Sequence, residues 1–190
     1  MNRREAIKRT SILLGGTLSA SAMMGVLNGC KAEPSITWAP EYFTTDEGGL
    51  VEAIVGRIIP LTDTPGAIEA GVPQFIDTMM AGFYQEKEKN TFREGLKKVE
   101  EDAKAAHGKP FAKLSEEEQD ALLTKLDQAA FADGVDRGTP DFFRMAKELT
   151  VLGFCTSEAG ATEFLKYEPV PGDYKGCIPY SEVGAAWATS

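Results

Sequence analysis

The chain has one histidine and three cysteines in 190 residues. A multi-ligand zinc site draws mainly on those two residue types, and a serine triad needs a histidine beside its nucleophile, so both are hard to build. Cys-x-x-Cys-His, the attachment run of a c-type haem, is absent. So are a Gly-x-Gly-x-x-Gly run after a strand and a Walker-type loop, the sequence marks of dinucleotide and nucleoside-triphosphate sites. Positive charge is scarce. Residues 1–29 carry Arg3, Arg4, Lys8 and Arg9 against Glu5, a local +3, which leaves −12 on residues 30–190 of a chain whose net charge is −9. Such a body repels phosphate backbones, so nucleic-acid binding is excluded. With 43% hydrophobic and 26% charged residues the chain is neither disordered nor a protein of several membrane spans. At 20.5 kDa it has room for one hydrophobic core with or without a tail.

Apolar residues recur at helical spacing, and no useful run alternates with the period of a strand. Thr44 and Glu47 form a capping-box pair ahead of Leu50, Val51, Ile54, Val55, Ile58 and Ile59, and Pro60 stops that helix. Pro73 suits the first turn of a second helix, with Phe75, Ile76, Met79, Met80 and Phe83 on its face. A third is expected from about Lys87 to His107, ended by Gly108 and Pro110. Ser115 and Glu118 make a second capping box, opening a helix that buries Leu122, Leu123, Leu126 and Ala130. Thr139-Pro140 starts the most apolar segment, which includes Phe142, Phe143, Leu149, Leu152 and Phe154. Its breadth implies a central helix, or one with a face covered by a partner. A short helix is expected over Gly160 to Tyr167, and the Gly/Pro-rich run from Val170 to Tyr180 reads as irregular. The expected fold is an all-α single-domain bundle with an irregular C-terminal arm.

The first thirty residues read as an export address. Asn2-Arg3-Arg4-Glu5-Ala6-Ile7-Lys8 resembles a twin-arginine translocation signal and is followed by a weakly apolar stretch from Ser11 to Leu27. Leu27-Asn28-Gly29-Cys30 resembles a bacterial lipobox, in which Cys30 is acylated and becomes the mature N-terminus. The chain then divides into a signal at 1–29, an anchor cysteine and tether at 30–43, and a helical domain at 44–190. Lipidation of Cys30 leaves Cys155 and Cys177 as an even pair in an oxidising compartment, where a disulfide can join them. The other reading makes Cys155 a small core residue and Cys177 a loop thiol.

Candidate chemistry is sparse. His107 reads as a cation at a helix end and Glu116-Glu117-Glu118 as first-turn acids, each favoured by the helix dipole. Asp63, Glu69 and Asp77 flank one turn and are either an acidic cluster or separately solvated. Ser157 and Ser181 have no base in view. Trp38, Tyr42 and Phe43 read either as core packing or as a docking strap, and Phe142 and Phe143 are further candidates for partner contact.

The ordered set Ile58-Ile59-Pro60, Thr62 to Ala67, Ala70-Gly71-Val72, Phe75-Ile76-Asp77, Phe142-Phe143, Lys147 to Thr150, Val170-Pro171-Gly172 and Gly176-Cys177 resembles the gluconate 2-dehydrogenase subunit 3 family. The resemblance implies a non-catalytic small subunit. Its partner would be the large subunit of an FAD-dependent dehydrogenase of the glucose-methanol-choline type, oxidising a sugar, sugar acid or glycoside. FAD and the catalytic residues would lie in that subunit, with no cofactor in this chain and a cytochrome c as electron acceptor. The small subunit would mature its partner and carry it through the twin-arginine translocase. The lipobox adds a membrane anchor on the periplasmic face, of the inner or the outer membrane. Two other readings compete: a free-standing periplasmic lipoprotein with a ligand-binding or structural role, and a carboxylate-dependent hydrolase, which needs only two suitably spaced acids.

Overall fold

The computed structural model describes residues 36–170, 172–173 and 176–188. Arg3, Arg4 and Cys30 lie outside the described residues. The unit Ile36–Ser190 is all-α, as the helical spacing predicts. Its helices are α1 (Thr45–Ile58), α2 (Val72–Gly82), α3 (Glu86–His107), α4 (Glu116–Ala130), α5 (Phe142–Thr156) and the one-turn α6 (Tyr180–Val183). A 3-10 turn at Phe111–Lys113 precedes α4, and a π turn at Gly160–Phe164 follows α5.

Local chemistry sets most of these boundaries. The Thr44 hydroxyl accepts from the Glu47 N–H at 3.2 Å, and the Glu47 carboxylate accepts from the Thr44 N–H at 2.9 Å. Ser115 and Glu118 repeat the exchange at 3.3 and 2.9 Å. Gly71 precedes α2 at φ 74° and Gly108 ends α3 at φ 70°, both in the left-handed region that a side chain disfavours. Two expectations are corrected. The helix expected from Thr139-Pro140 begins at Phe142, because the Asp141 carboxylate is the group that accepts the free Arg144 N–H, at 3.0 Å. The helix expected over Gly160 to Tyr167 shrinks to the π turn, closed by the Leu165 N–H on the Gly160 carbonyl at 2.9 Å. Beyond it, Lys166 leaves the helical path to pair its main chain with Ala186 and Ala188 at 2.8 and 2.9 Å.

The core surrounds α5. Phe142, Phe143, Ala146, Leu149 and Phe154 are buried, and the helix packs against α1, α2, α3 and α4. An aromatic ladder runs into it from the strap preceding α1: Tyr42 to Phe43 at 5.1 Å between ring centroids, Phe43 to Phe92 at 5.7 Å, and Phe92 to Phe142 at 5.1 Å. The first and third contacts are edge-on and the second is tilted, and aromatic pairs of this kind add about 0.5–1.5 kcal/mol each to the burial itself. Gly95 makes the ladder fit, since a Cβ there would occupy the space of the Phe142 ring.

The strap is held by one side chain. Asp77 on α2 is 3% exposed, and its carboxylate accepts from the main-chain N–H groups of Glu41, Tyr42 and Phe43 at 2.7, 3.1 and 2.9 Å. Three donors satisfy a buried anion that has no ion-pair partner among the described residues.

The disulfide expected between Cys155 and Cys177 is not formed. Both are free thiols, Cys155 half-buried against the edge of the core and Cys177 exposed on the arm. The arm closes instead through Lys166 and Trp187, so its fastening is to itself.

Replacing Asp77 by Ala should strand three N–H groups and cost about 3 kcal/mol of stability by urea denaturation, with faster proteolysis within 36–43; wild-type stability would refute the pinning role. Gly95→Ala should cost about 2 kcal/mol through overpacking against Phe142. Gly82→Ala, where nothing lies within 4 Å of the added carbon, should instead stabilise by about 0.5 kcal/mol in the same measurement.

Candidate partner-binding surface

The five aromatic residues singled out for partner contact divide. Phe43, Phe142 and Phe143 are buried in the chain's own core, where the aromatic ladder and α5 hold them. Trp38 is half-buried, its indole N–H donating to Glu52 at 3.4 Å. Tyr42 is half-buried beneath two cations, with the Arg93 guanidinium carbon 4.5 Å and the Lys89 ammonium 5.5 Å from its ring centroid. Burial pushes the Tyr42 phenol up, against the opposing pull of Arg93. Neither Trp38 nor Tyr42 belongs to an open apolar face.

The acidic residues around the α1–α2 turn have separate duties. Asp77 holds the strap, Glu69 accepts from the Gly66 N–H at 3.1 Å, and Asp63 is exposed. Among the described residues no three His, Cys, Asp or Glu side chains come together as a metal site. His107 is paired rather than simply solvated: its Nδ1 lies 3.0 Å from Glu118, joining the end of α3 to the start of α4. The Glu118 carboxyl is held below the usual range, first by the Ser115 N–H and less by His107. The Ser157 hydroxyl donates to the Phe154 carbonyl at 2.7 Å and accepts from the Gly160 N–H at 2.9 Å, a structural use at the turn out of α5.

Two of the grooves among the described residues are lined by charged side chains. One, of about 440 Å³, is lined by Arg57, Pro60, Asp120, Asp127, Phe143 and Lys147. Its charges neutralise one another. Arg57 grips Asp120 with both arms at 2.8 Å and reaches Glu116 at 2.8 Å, while Lys147 meets Asp127 at 2.6 Å. The Arg57 hydrogen bonds hold the Asp120 carboxyl below its ordinary value. The second groove, about 280 Å³, is bordered by Tyr84, Phe131, Arg137, Arg144 and Glu148. Arg144 is 6% exposed and donates to the main-chain carbonyls of Asp136 and Thr139, which ties down the loop before α5. Sequence reasoning missed this role, because the partners are backbone atoms whose position follows from the loop's path.

The apolar surface is elsewhere. Of thirteen exposed large hydrophobic side chains among the described residues, eight lie between Val151 and Trp187. Val151 and Leu152 stand on the outer side of α5, about half exposed. Phe164 packs its edge on Phe154 at 5.5 Å yet stays 53% exposed, and Tyr180 is 71% exposed. Lys166 lies 4.7 Å over the Trp187 ring where the arm closes. Among the described residues no buried hydrophobic follows Phe154, so those of the arm contribute almost nothing to the core while presenting several aromatic rings.

A family model described as Gluconate 2-dehydrogenase subunit 3 matches residues 45–172. No curated protein and no solved structure matches the chain.

The Arg57 fork makes a sign-specific prediction. Because Asp120 is depressed in the folded state, its contribution is present above the unfolded carboxyl value, about 3.9, and is lost as pH falls through the folded value. Asp120→Asn should therefore lower stability at pH 7 by less than about 1 kcal/mol, since half of the pair faces solvent. The difference from wild type should vanish by about pH 2 in urea titrations. A pH-independent difference would show that the fork is not the cause.

Proposed function

Because the chain belongs to the gluconate 2-dehydrogenase subunit 3 family, we propose that it is a non-catalytic small subunit of an FAD-dependent dehydrogenase complex. In this reading it binds, matures and co-exports a large subunit of the glucose-methanol-choline type that oxidises a sugar, sugar acid or glycoside. It also anchors that subunit to the periplasmic face of a bacterial membrane. The observation that carries the proposal is the family match, which spans 128 of the chain's 190 residues.

The residues supply a physical account of each duty. The Arg3-Arg4 signal addresses the chain to the twin-arginine translocase, a route for folded cargo, so a flavoprotein that has already taken up FAD can travel bound to it. Cys30 supplies the acyl anchor, each buried CH₂ contributing about 0.8 kcal/mol. FAD and the hydride chemistry belong to the large subunit, and a cytochrome c takes the electrons from it. No reaction step is assigned to this chain. What it must provide is a rigid body and a face on which the partner can bury on the order of 1,200–2,000 Å² in total. The pinned strap suits the first requirement: chain leaving residue 36 starts from a segment fixed to α2 through Asp77, so an anchor upstream would hold the bundle at a defined point.

Changing Arg3 and Arg4 together to Lys should abolish periplasmic appearance of both this chain and the flavoprotein, by cell fractionation. Continued export of the flavoprotein would remove the escort role. Mass spectrometry of the mature protein should find an acylated Cys30 at the N-terminus. Purification of the tagged chain from detergent-solubilised membranes should recover a flavoprotein in equal amount, and recovery of the chain alone would overturn the subunit assignment.

A further inference from the structure

Residues 148–188 carry both exposed apolar side chains and exposed carboxylates without an ion-pair partner among the described residues. The exposed apolar side chains Leu152, Phe164, Tyr167, Val170, Tyr180 and Trp187 lie on the outer side of α5 and on the arm that follows it. The same stretch holds six exposed carboxylates, Glu148, Glu158, Glu163, Glu168, Asp173 and Glu182, against Lys166 and Lys175. All nine ion pairs among the described residues lie outside it, within α3 or between helices. Elsewhere, then, many surface carboxylates are already matched by a cation, whereas these six have no ion-pair partner among the described residues. Lys166 is engaged over the Trp187 ring instead.

Among the described residues of the arm no hydrophobic side chain is in the core, yet main-chain bonds from Lys166 to Ala186 and Ala188 close it, and Phe164 is seated on Phe154. A ring seated at one edge and otherwise exposed, as Phe164 is, is the kind of anchor that protein interfaces favour, and an unmatched charged rim is what steers a complementary partner.

We propose that α5 from Glu148 onward and the arm to Ala188 form the docking face for the dehydrogenase's large subunit. The partner surface it fits is an apolar patch rimmed by lysine and arginine. Charge argues against the other occupants. A second copy in two-fold pairing would set one acidic rim against another, and an anionic lipid surface would repel the same rim. The family match ends at 172, so Leu152, Phe164, Tyr167 and Val170 fall inside it and Tyr180 and Trp187 beyond it. The inference rests on the small-subunit reading but can fail separately from it.

The test places the photo-crosslinking residue p-benzoylphenylalanine at Leu152, Phe164 or Tyr180 of the full chain in its native host, with Leu61 as an exposed apolar position outside the face. Ultraviolet irradiation should give adducts to a flavin-containing protein from the first three positions and not from Leu61. Flavoprotein adducts from Leu61 alone, or none from any position while the flavoprotein co-purifies, would overturn the face and leave the subunit reading standing. Adducts to a second copy or to lipid would overturn the occupant. Absence of a flavoprotein from both the adducts and the purified material would overturn both readings.

The charge argument has its own arm. Combining Glu158→Lys, Glu163→Lys and Glu168→Lys should lower flavoprotein recovery about tenfold at low salt, with the chain's thermal melt unchanged because all three are exposed. Unchanged recovery would overturn the basic-rim partner.

Discussion

A buried carboxylate organises the entry to this bundle. Asp77 is nearly inaccessible and faces no cation among the described residues, and three consecutive main-chain N–H groups converge on its carboxylate. The constraint works in both directions. The carboxylate needs the strap for its hydrogen bonds, and the strap, with little regular structure, needs the carboxylate to fix its path. Fixing residues 41–43 also sets Tyr42 and Phe43, and with them the ladder through Phe92 to Phe142 on the central helix. One long-range interaction thereby aligns the strap, α2, α3 and α5 before any of the surface ion pairs matters.

The contrast between local and long-range interactions separates what could be read in the sequence from what could not. Thr44 with Glu47 and Ser115 with Glu118 act over three residues, and their spacing alone announces the start of a helix. Gln85 with Glu88 does similar work, Glu88 accepting from the Gln85 N–H at 2.9 Å, but glutamine is an uncommon opening residue and the sequence offers little signal for it. Asp77 bonds residues 34 to 36 positions away. Nothing in the run Phe75-Ile76-Asp77 distinguishes a strap-holding aspartate from a solvated one. The same holds for Arg144, whose acceptors are loop carbonyls. The cysteine pair misled for a related reason: parity and compartment describe what two thiols can do, whereas geometry leaves Cys155 against the core and Cys177 exposed on an arm closed elsewhere.

The breadth of the apolar segment 142–154 supported two readings, a central helix or a face covered by a partner, and the enclosed turns answer to the first. The first two turns are enclosed by the chain itself, with Phe142, Phe143, Met145 and Ala146 buried. Near the C-terminal end Leu149, Gly153 and Phe154 still turn inward while Val151 and Leu152 face out. Large rings at its enclosed start are used by the core, whereas aliphatic side chains near its end remain open.

These features are joined by direct packing. Asp77 lies on α2 two residues after Phe75, and Phe75 packs over Gly153, where even a Cβ would come within 2.6 Å of the ring. Gly153 precedes Phe154, which seats Phe164 at the base of the arm. The pinned strap and the exposed arm are thus linked through two helices in van der Waals contact, with no loop intervening. A bundle built this way connects the strap to the arm through packed helices. Close packing is stiff because even small displacements forfeit dispersion contacts. The absence of a side chain at Gly153 is as much a part of that path as the aromatic rings, because it is what lets α2 and α5 approach so closely.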